Sequence, residues 1–166
     1  MNKEKFRLDM QGAIFDLDGT LFDSMWVWNQ VDLDFLGKRG FEVPDDYTKA
    51  IAHMDAHRTA RYTIDRFGLN EDIDDIVNEW FEMAKDKYAY DVICKQGAYE
   101  YVEKLHNQGV KIAIATSSDK VLFEKTLERT GLNKFIDAVV MVKEVNKGKS
   151  HPDVYLEAAR RLGTNP

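Results

Sequence analysis

Short apolar runs and helical stripes take turns along this chain, and the change from one to the other marks its organisation. Ala13, Ile14 and Phe15 form an apolar run of the kind carried by a strand buried on both faces. From Ser24 the strand signal stops. Met25, Trp28, Val31 and Phe35 fall on one helical stripe ended by Gly40 with Phe41 behind it, a glycine stop with a hydrophobic contact. Pro44 breaks the chain ahead of another helix, and a further helix covers 56–67 and stops at Gly68-Leu69. Ile73, Ile76, Val77, Trp80, Phe81, Ala84 and Tyr88 then recur at spacings of three and four, the strongest stripe in the chain. Beyond Gly97 helix and strand alternate again. Ala98, Tyr101, Val102 and Leu105 mark a helix stopped at Gly109, 111–115 a second buried strand, 119–130 a helix stopped at Gly131, and 138–142 a third strand. Tyr155, Ala158, Ala159 and Leu162 form the stripe of a last helix, opened by Pro152 and stopped by Gly163. The pattern predicts an α/β fold: a three-layer, Rossmann-like core of parallel strands from residues 1–23 and 91–166, with an all-helical insert of residues 24–90 that has a small core of its own.

Composition narrows the function classes. At 166 residues and 44% hydrophobic, the chain suits one packed core with a modest insertion. A net charge of -6 with no basic block argues against nucleic acid or an anionic membrane as partner and points to small molecules. Nowhere do eighteen apolar residues run together, and Met1 to Met10 carry no apolar core for a signal peptide, so the expected compartment is the cytoplasm. Cys94 is the single cysteine; it reads as a small apolar residue, with no internal disulfide and no thiolate metal cluster.

The chemistry gathers at strand ends. Asp16 and Asp18 follow the first apolar run, with Gly19 placed to turn the chain and bring Asp18 over the same substrate. A carboxylate can serve as the nucleophile of phosphoryl transfer, which suits Asp16, and Asp18 is then the general acid and base. Two acids directed at a phosphate repel it and each other, so the arrangement implies a hard divalent cation, Mg2+, held by Asp16 and Asp18. The bland alternative is a strand end with two solvated acids leading into an Asp-Gly turn. Thr116-Ser117-Ser118 ends the second strand where the first has its acids, and in an open parallel sheet ligands bind at the carboxyl ends of the strands. The Thr116 hydroxyl and the backbone N–H groups of Ser117 and Ser118 suit phosphoryl oxygens, and Ser118 can cap the following helix as well. Lys149, just before the Pro152 helix, supplies a point charge; Lys147 is the other candidate, in poorer register with Pro152.

Within the insert, Arg58 and Arg61 are the residues best suited to meet an anion, against the plainer reading of a solvated face. His53 and His57, four apart, have zinc-pair spacing, but the nearby acid Asp55 would project from another side of the same helix, which favours no metal there. Trp26, Trp28 and Tyr62 suit either an apolar substrate wall or, more ordinarily, core.

Phe15-Asp16-Leu17-Asp18-Gly19-Thr20-Leu21-Phe22-Asp23-Ser24 resembles the first motif of the haloacid dehalogenase-like hydrolases, in the branch of beta-phosphoglucomutase and the phosphoglycolate phosphatases. Thr116-Ser117 resemble the second motif. Lys149-Ser150-His151-Pro152-Asp153 resembles the third, Lys-x-x-Pro-Asp, with His151 where the family often has a small residue. The resemblance implies a Mg2+-dependent phosphomonoester hydrolase that acts on a small phosphorylated metabolite through an aspartyl-phosphate, with the helical insert as a cap that closes over it. It leaves two alternatives: a sugar-phosphate mutase, disfavoured by Trp28 where such mutases carry histidine and by the lack of a matching arginine near His57, and a non-catalytic binding module. The family continues with a fourth strand and an acidic motif that completes the metal site, whereas this chain reaches Thr164-Asn165-Pro166 first. The expectation is therefore a fragment, with the catalytic strand at an uncovered sheet edge, weak Mg2+ binding and poor turnover. Neither the particular substrate nor the oligomeric state is legible.

Overall fold

The structure, a computed structural model, describes residues 10–164. All of the Met1 to Met10 segment but its last residue, together with Asn165 and Pro166 at the chain's end, lies outside the described residues, and so do the expectations drawn from them. The elements run β1 (Gly12–Phe15), β2 (Phe22–Asp23), α1 (Val27–Lys38), α2 (Tyr47–Ile51), α3 (Ala56–Phe67), α4 (Ile73–Tyr90), β3 (Ile93–Cys94), α5 (Ala98–Asn107), β4 (Lys111–Thr116), α6 (Lys120–Thr130), β5 (Ala138–Met141) and α7 (Asp153–Leu162). They divide into two compact units, one of the residues up to Asp23 with those from Ile93 onward, the other Ser24–Val92. Among the described residues no helix is long and apolar enough to cross a membrane.

The first unit is α/β. Its three-stranded sheet has the order β1-β4-β5 and is parallel throughout, with Gly12 opposite Lys111 and Ala113 opposite Ala138. β4, flanked on both sides, buries Ile112 through Thr116 completely, as the continuous apolar run of a central parallel strand demands. Ala13, Ile14 and Phe15 are only half-buried, unlike the doubly buried strand that their apolar run suggests, because among the described residues β1 is an edge strand with β4 on one side alone, the uncovered edge expected for it. Ala113, Ala115 and Val140 pack with Val154, Ala158 and Leu162 of α7, and Ile14 closes that cluster. Gly12 permits the approach: a Cβ there would stand 3.1 Å from a Leu162 methyl and 3.3 Å from that of Thr164. A second, antiparallel ribbon pairs Phe22 with Cys94 and Asp23 with Ile93. Cys94 is half-buried, and burial pushes its thiol above the usual range, consistent with its apolar reading.

The second unit is all helical. Ile76, Trp80, Ala84 and Tyr88 form the buried stripe of α4, and Phe35 of α1 meets Trp80 edge-on at 5.3 Å. Tyr47 is wholly buried, its hydroxyl 2.7 Å from Thr63 Oγ1. On α1 the expected stripe is displaced: Met25 (67% exposed) precedes the helix and Trp28 (46%) faces out, whereas Val27, Val31, Phe35 and Leu36 are buried. His53 lies between α2 and α3 while His57 is in α3, so the two share no helix face, and Asp55 is the N-cap of α3. Among the described residues no three metal-ligating side chains cluster.

Candidate active site

Asp16 and Asp18 follow β1, in a turn knotted by its own backbone. The N–H groups of Leu21 and Phe22 both donate to Leu17 O at 2.9 Å, and the Leu17 side chain is fully buried, which anchors the turn between the two acids. Gly19 has φ +74°, a conformation that costs glycine little, and its N–H donates to Phe22 O at 3.0 Å. Expected as a phosphate contact, Gly19 thus spends its amide inside the turn, and what it contributes is the direction of the chain.

The two carboxylates have different partners. Asp16 Oδ1 accepts the Leu17 N–H at 2.8 Å and also the Lys149 ammonium, which comes from 133 positions further along the chain. Asp16 remains 42% exposed and Lys149 23%. Both donors converge on one oxygen, so among the described residues Oδ2 has no donor on it. Lys147 is solvent-exposed, so the register argument in favour of Lys149 agrees with the geometry. Asp18 Oδ2 accepts the Ser118 hydroxyl.

β4 delivers the second group of residues. Thr116 is fully buried and its Oγ1 accepts the Ser118 N–H at 3.0 Å, while Ser117 is exposed. The expectation that Ser118 caps the next helix is replaced. The N-cap of α6 is Asp119, and the Ser118 hydroxyl goes to Asp18. Asp119 is in turn held by Lys143 Nζ at 2.6 Å, which keeps the carboxyl below the usual range. Neither the Ser118–Asp18 nor the Lys143–Asp119 contact has a signal in sequence spacing, because each joins the ends of different strands.

Arg58 belongs to the helical unit. Its backbone N–H donates to Asp55 at 2.9 Å, and with His57, Arg61, Asp72 and Asp74 it lines a cavity of about 360 Å3. His57 Nε2 lies 3.2 Å from Asp74, so the arginines there have acids for neighbours.

The donor set at the end of β1 fits Mg2+. Asp16 and Asp18 offer hard oxygen atoms at one strand end, and Mg2+ is commonly held by one or two carboxylates with substrate phosphate and water completing the shell.

Comparison with known proteins places this geometry. The profile of the haloacid dehalogenase-like hydrolase family matches residues 13–166. The protein SUPPRESSOR OF QUENCHING 1, chloroplastic, of Arabidopsis thaliana is 30% identical over 158 residues, covering 93% of this chain but 15% of that protein. Hexitol phosphatase B of Escherichia coli (strain K12) is 27% identical over 160 residues, covering 93% of this chain and 70% of the enzyme. Among solved structures, a Thermotoga maritima protein provisionally assigned as a beta-phosphoglucomutase superposes with a TM-score of 0.85 at 23% identity, over 95% of this chain and 73% of that one, a likeness of fold. The strand-end acids, the lysine that reaches them and the parallel sheet that carries both are accounted for together: the chain belongs to the haloacid dehalogenase-like hydrolase family.

Proposed function

We propose that the protein is a Mg2+-dependent phosphatase of small phosphorylated metabolites, sugar or sugar-alcohol phosphates first among them, working through an aspartyl-phosphate on Asp16. The observation that carries the reading is the asymmetry of Asp16: Lys149 and the Leu17 amide both occupy Oδ1, which orients Oδ2 as the attacking atom. Oδ2 bonds to phosphorus as the bond from phosphorus to the leaving oxygen breaks, and Asp18 gives that oxygen its proton. Asp18 then takes a proton from water, the water oxygen attacks phosphorus, and the bond to Asp16 breaks. Lys149 and Thr116 hold phosphoryl oxygens as charge moves onto them, Lys149 as a point charge and Thr116 through its hydroxyl. Ser117 and Ser118 border the same strand end. Mg2+ held by Asp16 and Asp18 supplies compensation for the negative charge that these carboxylates and the phosphate bring together. Within this reading the helical unit is the substrate-selecting cap and Arg58 its candidate contact for an anionic group. The name hexitol phosphatase B, borne by a relative of which the chain spans 70%, supports the substrate class.

The test is release of inorganic phosphate from a panel of sugar phosphates, with and without Mg2+, by the wild type and by Asp16→Asn. Asp16→Asn is expected to lose about a thousandfold or more in turnover with its thermal midpoint kept. Turnover unchanged in Asp16→Asn removes Asp16 as nucleophile. Isomerised sugar phosphate in place of free phosphate would make the protein a mutase.

A further inference from the structure

Among the described residues β5 lies at the sheet edge opposite β1, with β4 on one side only. An edge strand exposes N–H and C=O groups that another strand can take up. Here two of them are already taken. Arg161 Nη1 donates to Val139 O at 2.7 Å, and the Met141 N–H donates to Glu144 Oε2 at 2.7 Å. A donor to one carbonyl and an acceptor for the N–H two residues on are what one residue of an adjacent parallel strand would supply. The two side chains are also tied to each other, Arg161 Nη2 to Glu144 Oε1 at 2.8 Å, and Glu157 fixes the guanidinium from behind through Nε at 2.8 Å. Three donors of one planar fork are thus set by three acceptors, a geometry that lysine cannot reproduce. Glu144 is kept charged well into acid, first by the Met141 N–H and then by Arg161.

Beside this edge lies a cavity of about 340 Å3, floored by Phe123, Leu127, Val139 and Met141 and rimmed by polar and charged side chains, Glu144 among them. A strand paired onto β5 would cover the half-buried Val139 and Met141 in the same step. Two copies of one edge, related by a twofold axis, meet as antiparallel backbones, so the surface is complementary to itself. We propose that Glu144 and Arg161 act as a surrogate strand that keeps β5 closed against the same edge of a second copy of this chain. The pair trades a latent self-pairing surface for a solvated one.

The experiment is sedimentation velocity over a range of concentrations on the wild type, Glu144→Ala, Glu144→Gln and the double variant Glu144→Ala/Arg161→Met, with amide exchange at Met141 followed in the same samples. In Glu144→Ala and the double variant an added, concentration-dependent association step is expected that the wild type lacks. At low concentration the Met141 amide should exchange about tenfold faster than in the wild type, and at high concentration it should recover its protection. Glu144→Gln keeps one acceptor oxygen, enough for the Met141 N–H, while its NH2 cannot accept from Arg161, and it is expected to associate less than Glu144→Ala. Absence of added association, or association that leaves Met141 exchanging fast at every concentration, overturns the proposal. The β4 amides report the fold; where they loosen in the double variant, Glu144→Ala alone decides by the same two criteria.

Discussion

On the proposed reading Lys149 does two things with one contact: it balances Asp16, and by bonding to Oδ1 it leaves Oδ2 as the attacking atom. Lys149→Met should therefore lower kcat by about a hundredfold or more with a smaller change in KM, measured on the best substrate of the panel, whereas a raised KM with kcat unchanged would assign the lysine to ground-state binding. This residue and the two acids were legible because each sits at a fixed distance from a chain-level landmark, the end of an apolar run or the start of a Pro-led helix. The partner of Asp18 was not. A serine hydroxyl before a helix ordinarily serves that helix, and only the meeting of two strand ends 100 positions apart turns it elsewhere. Asp32, in the helical unit, shows the same limit. Burial pushes its carboxyl up from 3.8 to about 6, with the Tyr47 hydroxyl nearby, and no spacing in the sequence brings those two together. Its folded value lies above its unfolded one, so its contribution to stability is fully present below the unfolded value and is lost as pH rises through about 6. Urea midpoints of wild type and Asp32→Asn between about pH 4 and about pH 7 should show the variant gaining relative to wild type as pH rises; a constant difference would mean that the carboxyl is not buried in solution.

At the scale of elements, periodicity located nearly every helix and strand and misjudged phase where apolar residues run together. Met25, Trp26, Val27 and Trp28 are consecutive, so every face of the incoming helix looks apolar, and only packing selects Val27 over its neighbours. On α4 the stripe held Ile76, Trp80, Ala84 and Tyr88, all buried, but not Ala89, which is buried beside them, and it included Ile73, Val77 and Phe81, which are half-buried. The apolar run of β1 suggests double burial, since composition cannot report how many strands flank it. Gly12, which the sequence did not single out, is where β1 meets the end of α7. A methyl there would press on Leu162 and Thr164, whose side chains can yield, so Gly12→Ala should cost about 1 kcal/mol and lower the thermal midpoint by about 3 °C. An unchanged midpoint would show that the end of α7 is free to move off the sheet.

For the whole molecule, the division into an α/β unit and a helical unit was visible as a change of period: the insert read as 24–90 is the unit Ser24–Val92, the first boundary matched and the second short by the two residues that lead into β3, a strand too short to carry a pattern of its own. Each unit has its own buried residues: Ile112, Ile114 and Val140 in one, Phe35, Tyr47 and Tyr88 in the other. The division predicts that replacing residues 24–92 by Asn-Gly leaves an α/β unit that unfolds cooperatively, as followed by circular dichroism; a chain without a thermal transition would show that the sheet depends on the helices. The ribbon that makes this possible has a longer reach. Since Asp23 and Ile93 are cross-strand neighbours, the α/β unit is clasped shut at the point where its chain departs, and the entropy of closing it is met by the ribbon rather than by whatever the ribbon carries. An insert attached through such a clasp can lengthen, shrink or be exchanged over evolutionary time without moving Asp16, so that new specificities can be tried on an old reaction centre at little risk to it.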